Sequence, residues 1–259
     1  MRAVQQEGVR KEMTPYYDHA GITIYHGDCR DILPTLSEKS IDMVLCDLPY
    51  GTTACKWDTV IPFEPLWREY RRIIKDNGAI VLTSRNPFTS KLNGSCIDLF
   101  RYELIWEKEQ ATNFLFIKNQ FGSIHENISI FYKHQPVYNP QMVKSDKPIK
   151  SNGGNKSETQ ENQSFIGSDE IRFEKYPCSI LRFNRDKETL HPTQKPVALF
   201  EYLIRTYTNE CDTVLDNCAG SGTTLVAAKQ LGRKAVGIEI EEKYCEIAVR
   251  RLQQEVLPL

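Results

Sequence analysis

Four consecutive residues, Asp47-Leu48-Pro49-Tyr50, combine a carboxylate, a stiff turn and an aromatic ring, directly after the apolar run 41–46. An ionised carboxylate only accepts hydrogen bonds, and a turn carbonyl beside it adds a second acceptor. Together they can receive both protons of an exocyclic amino group. Pro49 fixes the turn, and Tyr50 offers a face on which a planar base can stack. Open α/β sheets place ligands outside the carboxyl ends of their strands, which is where this tetrapeptide falls. A strand-end aspartate followed by a tight turn would account for the same residues without any chemistry.

A second constellation runs from 213 to 244: a short apolar strand ending at Asp216, the turn Ala219-Gly220-Ser221-Gly222-Thr223, a helix, another strand, then Glu239. Glycines let a ligand approach the backbone where the helix begins. An acidic residue about 20 positions further on suits a pair of ribose hydroxyls, and Glu239 stands 19 after Gly220. Leu225 replaces the third glycine of the dinucleotide pattern, and no Gly-Lys-Ser/Thr follows. An adenosine-type ligand without a diphosphate therefore fits better than NAD or ATP. A third string, LHPTQKP at 190–196, leads into a helix and carries no chemistry by itself.

The scaffold for these residues reads as α/β. Apolar runs at 22–26, 41–46, 79–83, 102–106, 128–132, 213–215 and 235–238 alternate with helical patterns at 63–75, 197–208, 223–231 and 241–254, the signature of a parallel sheet. Asn77-Gly78 is expected to end the first helix and Gly232 the third. At 259 residues the chain suits one large domain, or one with an insertion, since domains run to about 150 residues. Apolar residues make up 40% and charged residues 26%, an ordinary globular balance, and 33 basic against 34 acidic residues leave a net charge of −1. A histone-like body is excluded, whereas a basic face on a neutral protein is not. The eight cysteines are scattered, with no C-x-x-C pair, so free thiols in a reducing cytosol are expected, with no zinc site and no disulfide framework. No apolar run approaches the ~20 residues of a membrane helix, and residues 1–20 lack a signal-peptide core, so neither a membrane protein nor a secreted one is expected. The polar stretch 144–168 reads either as a surface loop or as part of a substrate-facing insertion. Lys133, Lys144, Lys147 and Lys150 against Asp146, with Tyr132 and Tyr138 nearby, form a modest basic patch compatible with phosphate contacts.

Taken together, these blocks resemble the β-class DNA amino-methyltransferases, in which the catalytic tetrapeptide precedes the cofactor loop. The likeness extends from about Gly21 to Leu252. DLPY resembles the family's D-P-P-Y motif, AGSGT its cofactor loop, HPTQKP one of its most specific strings, and GDCRDIL (27–33) the acidic segment that meets the cofactor's adenine. The resemblance implies a Rossmann-like S-adenosylmethionine-dependent fold of about seven strands, mainly parallel, in permuted motif order. It implies methyl transfer to N6 of a flipped adenine in double-stranded DNA. Asp47, Leu48 (through its carbonyl), Pro49 and Tyr50 would be catalytic. Asp28, Cys29, Asp47, Thr193, Lys195, Asp216, Ala219, Gly220, Ser221, Gly222, Thr223 and Glu239 would hold S-adenosylmethionine, and no metal is required. Lys56, Trp57 and Phe114 join the four lysines as DNA contacts, with Asp58 in the same loop over the site facing either DNA or solvent; Trp106 either walls the base or fills core.

The implied layout is an extension at 1–20, a catalytic half at 21–132, a target-recognition region at 133–190 and a cofactor half at 191–259. The implied setting is a bacterial or phage cytoplasm, with a homodimer and a cognate restriction endonuclease as partners. Leu48 replaces the family's first proline, and Asn217-Cys218 replaces its usual Pro-Phe. Cytosine-N4 methylation is the alternative within the same chemistry, although cytosine members usually carry serine at position 47. A non-catalytic DNA-binding subunit is the alternative outside it.

Overall fold

Where an apolar run is buried on both faces it becomes a central parallel strand, and where every third or fourth residue is apolar it becomes a covering helix. A computed structural model describes residues 13–51, 58–113, 115, 117–150, 171–187, 190–191 and 194–254, with backbone alone at 149–150 and 171–172. The elements in chain order are β1 (Tyr17–His19), β2 (Ile22–His26), α1 (Cys29–Ile32), β3 (Ile41–Asp47), α2 (Phe63–Ile73), β4 (Ile74–Ser84), α3 (Phe88–Ser95), β5 (Phe100–Glu107) and β6 (His125–Phe131). They continue with β7 (Val143–Lys150), β8 (Ile171–Lys175), β9 (Ile180–Arg182), α4 (Val197–Tyr207), β10 (Thr213–Asp216), α5 (Thr223–Gln230), β11 (Lys234–Glu239) and α6 (Glu242–Gln253).

One sheet has the order β1-β2-β11-β10-β3-β4-β6-β5-β9. The five strands from β2 to β4 are mutually parallel, whereas β6 runs antiparallel to both β4 and β5. Alternation along β3 divides the core. Met43 and Leu45 face Leu199, Phe200 and Leu203 of α4 and Leu225 of α5. Val44 and Cys46 face Leu66, Trp67 and Tyr70 of α2 and Leu92 of α3. Pairing of β2 with β11 brings the first and last long strands side by side, as the permuted motif order requires.

Three expectations need correction. The sheet has nine strands rather than about seven, because the three-residue strands β1 and β9 extend its two edges. The first long helix stops at Ile73 rather than at Asn77-Gly78: the chain enters β4 at Ile74 and makes an irregular register shift opposite Ile41 and Met43. Gly78 serves that close approach, since a Cβ there would lie 2.8 Å from the Asp42 carbonyl oxygen. Third, residues 180–182, inside the stretch 133–190 assigned to target recognition, pair with β5 and bury Leu181.

Residues 140–178 form a separate compact unit. Its described part is the antiparallel hairpin β7–β8, with Lys144 opposite Glu174. Among the described residues no helix is long and apolar enough to cross a membrane.

Candidate active site

Three strand ends converge on one cavity of about 400 Å3, lined by residues of the tetrapeptide (47–50), the glycine turn, His191, Gln194, Lys195, Asp216, Glu239 and Tyr244. β3 delivers Asp47, β10 delivers Asp216 and β11 delivers Glu239, because parallel neighbours bring their carboxyl ends to one edge.

Asp47 is surrounded by donors. Its Oδ1 accepts the Tyr50 hydroxyl at 2.5 Å and also the Thr83 hydroxyl from the adjacent end of β4. Its Oδ2 accepts Lys195 Nζ at 2.5 Å. The Tyr50 ring packs on Phe88 with centroids 5.2 Å apart, and it lines the cavity. Asp58 is buried and accepts the Gly51 amide at 2.8 Å, so it braces the turn after the tetrapeptide rather than reaching toward DNA or solvent.

Lys195 also lies 3.3 Å from Glu126 Oε2, and Glu126 pairs through Oε1 with Lys108. Four charges therefore alternate across the site: Lys108, Glu126, Lys195, Asp47. Burial alone would lower the Lys195 ammonium, but Asp47 and Glu126 outweigh it and hold the group above its ordinary value. Burial would raise Glu126, and the two lysines reverse that, so it lies below the usual range.

Another part of the cavity is built differently. Asp216 accepts the Thr224 hydroxyl and the Cys218 amide, the latter at 3.0 Å. Burial pushes it up to about 6, against those two donors. Glu239 accepts the Gly220 amide at 2.7 Å and the Glu241 amide at 2.8 Å, and burial raises it as well. Among the described residues no ammonium or guanidinium pairs with either carboxylate. A buried carboxylate without a cation is costly, so a cationic ligand is the natural occupant. S-adenosylmethionine carries a sulfonium and an ammonium. Gly220, in the left-handed region at φ +51°, leaves open the space that a ligand would fill, since an added Cβ meets nothing closer than His191 at 3.7 Å. The residues present therefore fit this cofactor.

Several sequence-derived assignments change. Lys195 lines the cavity with the cofactor candidates, and its ammonium sits on Asp47 and Glu126. Gly222 does not line the cavity. It begins α5 at φ +78°, where a Cβ would strike Ala248 of α6 at 2.7 Å, so its role is packing. Lys133 leaves the end of β6 that pairs with Ile80, away from the Ser84 end beside the site, and it influences Asp76 instead. Trp106 is core, with its indole N–H on the Phe183 carbonyl at 2.9 Å. Asp28 caps α1 and pairs with Arg30, and both Asp28 and Cys29 line the cavity, as do Ala219, Ser221 and Thr223. Lys144 and Lys147 are exposed on the hairpin unit. Lys56, Trp57, Phe114 and Thr193 lie outside the described residues, as does the side chain of Lys150.

Thr83, Lys108, Glu126 and Tyr244 escape sequence reasoning. The one available signal is that Lys108 and Glu126 are charged residues abutting or ending apolar strands, where solvated faces would be the ordinary reading.

A family model described as DNA methylase matches residues 41–250. The DNA adenine methyltransferase YhdJ of Escherichia coli is 29% identical over 89% of this chain and 82% of its own length. The type II methyltransferase M2.DpnII of Streptococcus pneumoniae is 27% identical over 93% of each chain. Among solved structures, an M1.HpyAVI–SAM complex superposes with a TM-score of 0.60 at 26% identity, covering 89% of this chain and 99% of that one. The cytosine-N4-specific PvuII methyltransferase superposes at 0.69 with 16% identity, covering 94% and 90%, a likeness of fold.

Proposed function

Because the chain belongs to the DNA methylase family, we propose that it transfers a methyl group from S-adenosylmethionine to the exocyclic N6 of adenine at a specific site in double-stranded DNA. The observation that carries this reading is the shared cavity, lined both by an amine-accepting carboxylate, Asp47, and by buried carboxylates, Asp216 and Glu239, that no cation among the described residues pairs with. Adenine is favoured over cytosine by Asp47 at the head of the tetrapeptide and by the relatives' names.

S-adenosylmethionine supplies an activated methyl group when bound. Asp47 and the Leu48 carbonyl accept hydrogen bonds from the two N6–H groups. This draws the amine's lone pair out of the ring and holds it in line, and alignment supplies a large share of the rate. Asp47 stabilises positive charge developing on nitrogen and receives the departing proton. Tyr50 supports the base, which must leave the duplex to reach the cavity. Asp216 faces the cofactor's cationic end and Glu239 its ribose. Residues 133–190, with Lys144, Lys147 and Lys150, read the target sequence. A homodimer, a cognate restriction endonuclease and a cytoplasmic location belong to the same reading.

Nucleoside mass spectrometry on long unmethylated duplex DNA, incubated with protein and S-adenosylmethionine beside an Asp47→Ala control, tests the proposal. N6-methyladenine that vanishes in the control is the expected result. N4-methylcytosine would overturn the base assignment, and no methylated base at all would overturn the reaction.

A further inference from the structure

Oδ1 of Asp47 already accepts two hydroxyls, from Tyr50 and Thr83. That fills the roughly two acceptor sites a carboxylate oxygen offers. An arriving amine must therefore use Oδ2, and Oδ2 is held by Lys195 at 2.5 Å. An ammonium fixed at that oxygen also opposes the positive charge that develops on an attacking nitrogen. As they stand, the contacts describe a carboxylate kept in place but not ready to react.

The same lysine has a second carboxylate within reach. Glu126 Oε2 is buried and has no well-aligned donor among the described residues, although it forms an ion pair with Lys195 Nζ at 3.3 Å, longer than that ammonium's 2.5 Å contact with Asp47. That distance is within hydrogen-bond range, so the two groups are misaligned rather than remote. A buried acceptor left unsatisfied beside a donor of opposite charge is a destination that a small rotation of the lysine stem would complete. Lys108 closes on the other oxygen of Glu126 and anchors that carboxylate from the far side.

We infer that Lys195 is a movable placeholder: it holds Asp47 while the base site is empty and moves onto Glu126 Oε2 when the target amine arrives, freeing Asp47 Oδ2 to receive the amine. Glu126 and Lys195 are thus positioning residues for the transfer, and the inference rests on the methylation reading above. No group other than the incoming amine is needed. The lysine keeps its proton and exchanges one carboxylate for the other, while Lys108, Glu126, Lys195 and Asp47 together remain neutral.

The test compares two double variants that both keep this buried cluster neutral. Glu126→Gln traps Lys195 on Asp47, and single-turnover transfer of tritiated methyl to long unmethylated duplex DNA is expected to slow by about 10- to 100-fold. Adding Lys195→Met removes the trapped group, and the rate should recover to that of Lys195→Met alone. Adding Lys108→Met instead balances the charge equally but leaves Lys195 on Asp47, so the rate should stay low. Recovery in both double variants would mean that charge balance alone matters, and recovery in neither would mean that Glu126 does not act through Lys195. Either outcome overturns the inference. The comparison of the two double variants stands even if Glu126→Gln alone fails to fold. Melting curves and S-adenosylmethionine affinity, measured in parallel, should be alike in the two. If the wild-type protein transfers no methyl group, the methylation reading fails instead.

Discussion

The two ends of the cavity handle buried negative charge in opposite ways. Asp47 and Glu126 share two lysines, and the four charges cancel within the protein. Among the described residues Asp216 and Glu239 meet hydroxyl, thiol and backbone N–H donors but no ammonium or guanidinium, and burial raises both. The balanced end suits a neutral reactant, because its charge is complete before anything binds. The unbalanced end suits a cation, because it holds negative charge that no ammonium or guanidinium among the described residues matches. A neutral aminopurine and a cationic sulfonium cofactor are a pair of ligands that would use both designs.

The largest expected effect breaks the balanced end alone. Asp47→Asn keeps the size, and Lys195 still has Glu126 as a partner, but the change removes the charge that stabilises a positive nitrogen. Losing the acid–base group together with its electrostatic effect should lower single-turnover methyl transfer by about 10^3-fold or more. Cofactor affinity, measured by calorimetry, should stay within about threefold of wild type. An equal loss in both measurements would mean that the two ends are not separable.

Legibility in the sequence follows the same division. Asp47, Gly220 and Glu239 could be found because each sits at the end of an apolar strand or at a fixed local spacing, and a parallel sheet converts those one-dimensional positions into a shared edge. The Asp47–Lys195 pair spans 148 positions, and nothing in the string HPTQKP says which carboxylate its lysine will meet. Glu126 and Lys108 look like exposed flanks of a hairpin until β6 is placed antiparallel beside β4, which turns its first residues toward the site. Gly222 and Gly220 are equivalent as letters. Only the approach of Ala248 distinguishes a packing glycine from one facing the cavity. The helix end at Ile73 was hidden for a related reason: the irregular pairing of β4 with β3 moves the job of Gly78 from capping a helix to making room for a carbonyl.

A smaller effect, opposite in its two readouts, is expected at the unbalanced end. Asp216 is 3% exposed and raised from 3.8 to about 6. In the folded state it therefore binds its proton more tightly than in the unfolded chain. Ionisation costs stability as pH climbs through that interval, and above about 6 the full cost is present. At 1.36 kcal/mol per unit, the ceiling is on the order of 3 kcal/mol. Asp216→Asn should raise the melting temperature of the cofactor-free protein at pH 8. The gain should shrink as pH falls through 6 and disappear below 3.8, where aspartate is protonated in both states. The same change should weaken S-adenosylmethionine binding by roughly 10- to 100-fold, about what one charge-assisted contact contributes. A variant that is destabilised at pH 8 would mean that Asp216 is not carrying an unmatched charge.

Glu239→Gln should have the smallest effect, because this carboxylate does two jobs and glutamine keeps half of one. Its oxygens hold the amides of Gly220 and Glu241, so they fix the glycine turn against the start of α6. Glutamine offers one acceptor oxygen, and its amide NH2 must face the other backbone N–H, donor against donor. Loss of one such bond is worth about 1–2 kcal/mol, so cofactor affinity should fall roughly tenfold. Methyl transfer at saturating cofactor should change little, because the balanced end is untouched. Removing the charge also relieves the burial that raises Glu239, so stability should fall less at pH 8 than at pH 5. A loss confined to the transfer rate, with affinity intact, would place Glu239 with the reacting amine and erase the distinction between the two ends.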